Sequence, residues 1–341
     1  MIPVPHKLLR RLLLAPLVVL LEALFIAISP VLLVLAILVS PLVGGWRALR
    51  TLLIALAFAG SHMAATLGCL GLWVASGFGW KMRTQPMQRA HYVLMRWFVA
   101  SVYRATVKMA RVQVNVTESS AAEAVLSTPD RPVIVLSRHA GEGDTLLVIH
   151  ALLRWHDRGP RVVMHQALRL DPLIDSLGER LPNRFVDPRG GDTEVEIAAM
   201  ARELGATAAL VIFPEGANFS EERRQKGIER LDRAGFSKEA EWARGMRHVG
   251  APRPGGTLAA IEAAPHADVV VLGHVGFPTG VRELWRLLPE QQTVEIRMWL
   301  EPATAIPAGH AERIDWLFGW WRALDAWVDE REEVRASVPR G

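Results

Sequence analysis

The sequence contains very little cysteine. Its only one, Cys69 among 341 residues, excludes an internal disulfide and argues against a cysteine-based zinc site. Several motifs are also missing: the Walker phosphate loop, a dinucleotide-binding glycine fingerprint, the His-Glu-x-x-His zinc motif and the Gly-x-Ser-x-Gly motif of serine hydrolases. These absences predict a protein with no metal, no nucleotide cofactor and no activated side-chain nucleophile of its own.

Charge is almost missing from two stretches near the N-terminus. Residues 12–43 contain one charged residue, Glu22, and residues 52–80 contain none. A membrane-spanning helix needs about 20 apolar residues, so both stretches are long enough. Prolines 16, 30 and 41 interrupt the first stretch, which we interpret either as one tilted span or as a broken re-entrant pair that never crosses. Gly44-Gly45-Trp46 would form the tip between the two stretches.

Basic residues lie mainly at the outer ends of these stretches. The six that flank them are Lys7, Arg10, Arg11, Lys81, Arg83 and Arg89, whereas only Arg47 and Arg50 lie between them. By the positive-inside rule, both ends and the rest of the chain are expected on the cytoplasmic side. A cleaved signal peptide would be much shorter, and no second apolar stretch would follow it. We therefore expect a membrane-embedded helical hairpin over residues 1–84 and a cytoplasmic domain over residues 85–341.

The chain carries a formal net charge of +4. A basic balance favours a phosphate-rich partner. Since no nucleic-acid motif is present, we expect that partner to be a lipid surface and not a nucleic acid.

Beyond residue 111, short apolar runs alternate with helical patterns. The runs that predict strands are Val112–Val116, Val133–Leu136, Arg161–His165, Arg184–Val186, Ala208–Phe213, Val269–Gly273 and Val294–Leu300. Helical patterns such as Thr193–Leu204 and Gly256–Ala264 separate most of them. This alternation predicts an α/β domain with a central, mostly parallel sheet flanked by helices. In such sheets, ligands gather at the carboxyl ends of the strands.

Two amphipathic helices are also predicted. Over residues 87–111, apolar side chains share one side and basic side chains the other, which fits either a helix on an anionic membrane surface or one packed on the core. Near the C-terminus, Trp316, Trp320, Trp321 and Trp327 recur at helical spacing. Tryptophan is frequent at membrane interfaces, but aromatic stripes more often pack in a core, and core packing is the prediction.

The residues that bear chemistry follow the apolar run Pro132–Leu136. His139 leaves the end of this predicted strand, and Asp144 begins a predicted helix five residues later. Five extended residues span roughly 16 Å, so the two side chains meet only if the chain turns, and Gly141 and Gly143 tolerate the positive φ of such a turn. An imidazole oriented by a carboxylate can take a proton from a hydroxyl, which here would belong to the substrate. The alternative is that His139 ends a strand and Asp144 caps a helix.

A second motif, Phe213-Pro214-Glu215-Gly216, follows a later predicted strand. Together with His139-x4-Asp144 it resembles the paired motifs of the glycerolipid acyltransferases, a family that includes 1-acylglycerol-3-phosphate acyltransferase. The segment Phe185-Val186-Asp187-Pro188-Arg189 is similar to a further block of that family, with its arginine displaced by one position. The segment from His248 to Gly256 looks like an element of the lysocardiolipin and lysophosphatidylglycerol acyltransferase subgroup. The resemblance extends over roughly residues 85–300.

The resemblance implies a membrane-bound acyltransferase. It would move a fatty acyl group from acyl-coenzyme A or acyl carrier protein to the free hydroxyl of a lysophospholipid, with no metal and no cofactor. His139 would be the general base and Asp144 its orienting partner, and backbone N–H groups near Gly141 or Gly143 would stabilise the oxyanion. The residues expected to bind substrate are Arg189, Phe213, Pro214, Glu215, Gly216 and Arg253, with Glu215 holding hydrogen-bond donors in place and not contacting phosphate itself.

Departures from the family pattern leave the acceptor open. Ala217 and Asn218 stand where threonine and arginine often follow the second motif, and Gly273-His274-Val275-Gly276 lies where a proline is usual. A different membrane acceptor, such as a glycolipid, and a non-catalytic lipid-binding protein of the same fold are therefore the alternatives.

Two further sets of residues have competing interpretations. His274 has no carboxylate at the spacing of the first motif, so we interpret it as structural. The basic run Arg223, Arg224 and Lys226 is interpreted as a solvated helix face, with contact to the diphosphate of coenzyme A as the alternative.

Overall fold

The computed structural model describes residues 4–128, 130–141, 143–187, 191, 193–278, 280–288 and 291–337. The N-terminal helices are α1 (Lys7–Leu9), α2 (Ala15–Ala27), α3 (Ser29–Val43) and α4 (Arg47–Ala75). The later helices are α5 (Gln85–Met109), α6 (Ser120–Ser127), α7 (Asp144–His150), α8 (Pro172–Arg180), α9 (Thr193–Arg202), α10 (Glu221–Arg233), α11 (Ser237–Gly245), α12 (Pro254–Ala263), α13 (Val281–Leu287) and α14 (His310–Ser337). The strands are β1 (Val112–Glu118), β2 (Val133–Ser137), β3 (Gly159–His165), β4 (Arg184–Val186), β5 (Ala208–Ile212), β6 (Asp268–Val275) and β7 (Gln292–Glu301).

Within the described residues, seven strands form one sheet in the order β1-β7-β6-β2-β5-β3-β4. Neighbouring strands are parallel except for β6 and β7. The three central strands β6, β2 and β5 are buried along their whole length, which explains their unbroken apolar runs. The predicted α/β class is confirmed. Each predicted strand is present, Arg184–Val186 with the predicted bounds and the others with slightly different ones.

The sheet separates two apolar cores. Along β2, Ile134 and Leu136 face one core and Val133 and Val135 face the other, because side chains alternate along a strand. Helices α9 to α12 and α14 cover the first core, and α6, α7 and the end of α5 cover the second. Central strands packed on both sides give their carboxyl ends a fixed position in the molecule.

The amphipathic helices both use their apolar sides for packing. In α14, Trp321 and Trp327 are buried in the first core, so the predicted core role of this stripe is confirmed. In α5, buried Met95, Phe98 and Val99 pack in a third cluster that also includes residues of α4 and α8. The apolar side of α5 therefore packs on the core, which is the second of the two predicted alternatives.

Helices α2 and α3 bend by 55° at their junction. Proline at the start of α3 lacks the N–H that would continue the helix, which explains the break. Positive φ at Gly44, Gly45 and Trp46 forms the predicted tip before α4. Among the described helices, α4 alone is long and apolar enough to cross a membrane by itself, and the bent pair would add a second span only if counted as one.

Ion pairs hold the N-terminal segment to the α/β domain. Arg10 and Arg11 lie 2.8 and 3.5 Å from the carboxylate of Asp175, which belongs to α8. Beyond the tip, Arg50 of α4 donates a hydrogen bond to the carbonyl oxygen of Leu288 at 2.6 Å. The chain therefore contacts the same domain just before α2 and again just after α3.

Candidate active site

The loops that carry the two motifs leave the sheet at the same edge. Strands β2 and β5 are parallel neighbours, with Leu136 opposite Ile212, so their carboxyl ends coincide. The backbone N–H of His139 donates to Glu215 Oε1 at 2.9 Å, and the N–H of Phe219 donates to the carbonyl oxygen of His139 at 2.6 Å. The sheet thus brings His139 and Glu215 together, as the strand pattern predicted.

His139 and Asp144 meet through the turn between them. His139 Nδ1 lies 3.4 Å from Asp144 Oδ2, at the long end of hydrogen-bond range, and the His139 side chain is 18% exposed. The N–H of Gly141 donates to the same Oδ2 at 2.6 Å. The Asp144 carboxylate therefore faces the loop and the imidazole, and these contacts do not support the alternative in which it only caps α7.

The backbone conformation of Gly143 differs from the prediction. Its φ is −84°, so the expected positive φ is wrong for this residue. A Cβ there would instead collide with the ring of Phe277. Close approach to an aromatic side chain explains the glycine.

Asp144 is buried, yet its carboxyl group has a lowered pKa. Burial alone would raise the pKa of its carboxyl group, but His274, His139 and the N–H of Gly141 together outweigh that effect, and the pKa is lowered. An ionised carboxylate at this position can fix the imidazole and stabilise the imidazolium that forms when His139 takes a proton.

Glu215 connects two loops. Its Oε1 accepts from His139 and its Oε2 accepts from the N–H of Gly250 at 2.8 Å. Burial raises the pKa of Glu215 to about 7, against the lowering effect of these two N–H groups and of Arg138. Both oxygens therefore hold backbone donors, one of them the N–H of His139, and the predicted role of Glu215 in substrate binding stays a prediction.

The remaining residues of the second motif shape the same loop. The Phe213 ring lies 4.5 Å from the His139 ring, centroid to centroid. The carbonyl oxygen of Pro214 accepts from the N–H of Arg253 at 2.8 Å. Gly216 has a φ of +76°, and a Cβ there would lie 3.1 Å from Arg253 Nε, so the loop requires glycine.

A basic cavity of about 190 Å³ lies beside Glu215, between α10 and the 250–253 loop. Arg223, Arg230 and Arg253 contribute guanidinium groups to its lining. Burial, and then the charge of Arg253, lowers the pKa of Arg230. In the described part of the chain no carboxylate lies within ion-pair distance of Arg230 or Arg253. Two neighbouring guanidinium groups without a counter-charge form a site suited to an anion.

Residues 111–272 match a family model described as Acyltransferase. The match assigns this segment to the glycerolipid acyltransferase family. The matched segment runs from the residue before β1 into β6 and includes both motifs. No curated protein matches the chain. The family match supports acyl transfer as the general activity of this protein.

The structure changes two expectations about the site of this acyltransferase and leaves a third untested. The N–H of Gly141 donates to Asp144, so it is not free for an oxyanion, and a donor near Gly143 stays the prediction. Arg224 donates to the carbonyl oxygens of Met246 and Arg244 at 2.5 and 2.9 Å, so it holds a loop and is not simply solvated. Arg189 lies outside the described residues, and its predicted role in substrate binding stays a prediction.

Two further residues of the site were not predicted from the sequence. Arg138 is buried and donates to the carbonyl oxygens of His274 and His248 at 2.7 and 3.0 Å. His274 Nε2 lies 3.6 Å from Asp144 Oδ1, although the two are far apart in sequence. The contact between His274 and Asp144 follows from the strand order, which makes β2 and β6 neighbours, and cannot be inferred from the spacing of the motifs.

Proposed function

We propose that this acyltransferase moves a fatty acyl group from a thioester to the free hydroxyl of a lysophospholipid, with His139 as general base. The observation that supports this most is the geometry of His139: its Nδ1 faces buried Asp144 while its side chain stays partly exposed at the sheet edge. A base has to be held by its partner and still reach a substrate, and both conditions are met.

The reaction needs one tautomer of His139. With Nδ1–H donated to Asp144 Oδ2, Nε2 carries the lone pair. Nε2 takes the hydroxyl proton as the substrate oxygen attacks the thioester carbonyl carbon. The tetrahedral intermediate then collapses, the C–S bond breaks, and the leaving thiolate takes the proton back from the imidazolium. The ester product and neutral His139 result, and no covalent enzyme intermediate forms.

The basic cavity is proposed to hold the phosphate of the acceptor. Arg230 and Arg253 offer planar donor groups that match phosphate oxygens, and neither has an acidic partner competing for it among the described residues. Arg253 also packs against Gly216, whose neighbour Glu215 binds the backbone of His139. A phosphate held there would place the adjoining glycerol close to the base. Asn218 takes the place of the usual arginine, and Arg230 and Arg253 would supply the missing charge.

The N-terminal helices are proposed to enter one leaflet without crossing the bilayer. Large apolar side chains of α2 and α3 are exposed, for example Leu20 at 65% and Leu42 at 84%, and water is a poor environment for such a surface. Yet Arg10, which precedes α2, and Arg50, which follows the tip in α4, both contact the α/β domain. A chain that returns to the side from which it started supports the re-entrant alternative, in which the active site would lie at the membrane surface.

Acceptor profiling tests the proposal. Labelled acyl-coenzyme A, or labelled acyl carrier protein, is supplied with single lysolipids in phosphatidylcholine vesicles. We expect lysophospholipid acceptors to be acylated. Acylation of glycolipids alone would favour the other acceptor class, and vesicle binding without thioester consumption across the whole panel would favour a non-catalytic protein.

Arginine variants test the phosphate site within the same assay. Arg230→Ala and Arg253→Ala should each raise KM for a phosphate-bearing acceptor about tenfold or more, because a hydrogen bond to a charged group contributes about 1.5–3 kcal/mol. Arg233→Ala, also on α10 but exposed, is the matched control and should leave KM unchanged. Equal KM values in all three variants would contradict the assignment.

A further inference from the structure

A buried histidine lies behind the His139–Asp144 pair. His274 is near the end of β6, two residues beyond the position at which Leu272 pairs with Ser137 of β2. Its ring is 1% exposed, and its Nε2 lies 3.6 Å from Asp144 Oδ1 and 3.4 Å from the carbonyl oxygen of Arg138. Asp144 therefore lies between two imidazole rings, one facing each carboxylate oxygen.

The chemistry around His274 Nε2 defines its protonation. Two oxygens face this nitrogen, and a bare lone pair would be repelled by both, so Nε2 carries the hydrogen. Burial lowers the pKa of His274, which keeps the ring neutral. A neutral ring with Nε2–H is a hydrogen-bond donor. It donates to the carbonyl oxygen of Arg138 at 3.4 Å, and Asp144 Oδ1 lies only slightly farther from it, at 3.6 Å.

Asp144 has a matching deficiency. Its Oδ2 accepts from Gly141 and faces His139, but its buried Oδ1 has no hydrogen-bond partner among the described residues. A buried carboxylate oxygen without a donor is unfavourable. The nearest ring nitrogen is His274 Nε2, and moving it by about half an ångström would bring it well within hydrogen-bond range.

We propose that His274 is a positioning residue for acyl transfer that acts through Asp144. Its N–H holds Oδ1, and so fixes the rotation of the carboxylate that keeps Oδ2 against His139. Arg138 keeps His274 in place, because its guanidinium donates to the carbonyl oxygen of His274 at 2.7 Å. The inference rests on the proposed function, since it assigns His274 a role only if the His139–Asp144 pair catalyses the reaction.

The test compares variants that differ in the donor. His274→Leu removes the N–H, whereas His274→Gln keeps a donor near the position of Nε2. We expect kcat to fall about tenfold to hundredfold in His274→Leu, with KM for acceptor and thioester unchanged, because a buried acceptor loses its donor. His274→Gln should retain kcat within about threefold of the wild type under the same reasoning. His150→Leu is the control: this histidine is also buried but stacks on Tyr103 at the end of α7 opposite Asp144, and its replacement should leave kcat unchanged.

A double variant separates positioning from packing. In the Asp144→Ala background there is no carboxylate to hold, so adding His274→Leu should lower the residual kcat less than about twofold. A fall as large as in the wild-type background would overturn the proposal, as would wild-type turnover in His274→Leu or equal losses in the leucine and glutamine variants. If His274→Leu does not fold, His274→Met replaces it in the same comparison, since methionine adapts to irregular apolar space.

The activity of the wild type distinguishes failure of the proposed function from failure of the role proposed for His274. A wild type that transfers acyl groups to no acceptor contradicts the proposed function. An active wild type with an equally active, folded His274→Leu variant contradicts this inference alone.

Discussion

Glu215→Gln perturbs the loop connection beside His139 without changing the size of the side chain. The carboxylate accepts from the N–H of His139 at 2.9 Å and from that of Gly250 at 2.8 Å. A carboxamide offers one oxygen, so its NH2 group must face one of these two donors. At acidic pH Glu215 is protonated but still places an oxygen in front of each donor. A buried N–H left without an acceptor costs about 1–3 kcal/mol, so we expect the variant to be less stable than wild type by about that amount at acidic pH.

The pH dependence of this difference carries the sharper prediction. Glu215 has a pKa of about 7 in the folded protein against an ordinary 4.5, so its contribution to stability is fully present below pH 4.5 and is lost as the pH rises towards 7. At about 1.4 kcal/mol per pH unit, the loss is about 3 kcal/mol. The glutamine of the variant does not titrate and loses nothing, so the wild-type advantage should shrink or reverse between pH 4.5 and 8.

The assay is thermal unfolding in detergent micelles, followed by tryptophan fluorescence across this pH range. Glu222→Gln is the control, because this glutamate is exposed on α10 and its removal should not change the pH dependence. A difference between wild type and Glu215→Gln that stays constant from pH 4.5 to 8 would refute the reasoning. The same variant should also have a lower kcat, since the backbone of His139 loses an anchor.

Three further predictions concern single side chains. Asp144→Asn removes the charge that stabilises the imidazolium, and should lower kcat about 10²- to 10⁴-fold while vesicle binding is unchanged; equal turnover would show that the carboxylate is not needed. Arg158→Met removes a fully buried guanidinium that donates to the carbonyl oxygens of Leu126, Arg131 and Ala206, among others. In denaturant titration this variant should have a free energy of unfolding lower by about 3–5 kcal/mol, whereas the exposed control Arg233→Met should not. Asp175→Asn leaves buried Arg10 with a weakened partner, so trypsin should cleave after Arg10 and Arg11 faster than in wild type; an unchanged cleavage rate would contradict the tethering of the N-terminal segment.

Much of the fold could be predicted because buried strands carry a strong local signal. The runs that became β2, β5 and β6 are apolar without alternation, as strands covered on both faces have to be. The meeting of His139 and Glu215 followed from the same argument, since both residues come directly after such strands.

The features that the sequence did not predict depend on tertiary contacts between distant segments. His274 reaches Asp144 because β6 lies beside β2, and the sequence contains no spacing that encodes this order. Arg230 joins Arg253 in the cavity through the packing of α10, which is likewise a tertiary contact. Gly143 was misjudged because the constraint comes from the ring of Phe277 and not from the backbone of the turn.

The proposed reaction depends on His139 as the general base, and replacing this residue is the decisive experiment. Initial rates of acyl transfer are measured for wild type and His139→Ala in identical vesicles, with vesicle binding and the unfolding midpoint as checks on folding. We expect a folded, membrane-bound variant whose rate falls about 10²- to 10⁴-fold. A folded variant that keeps the wild-type rate would contradict this assignment.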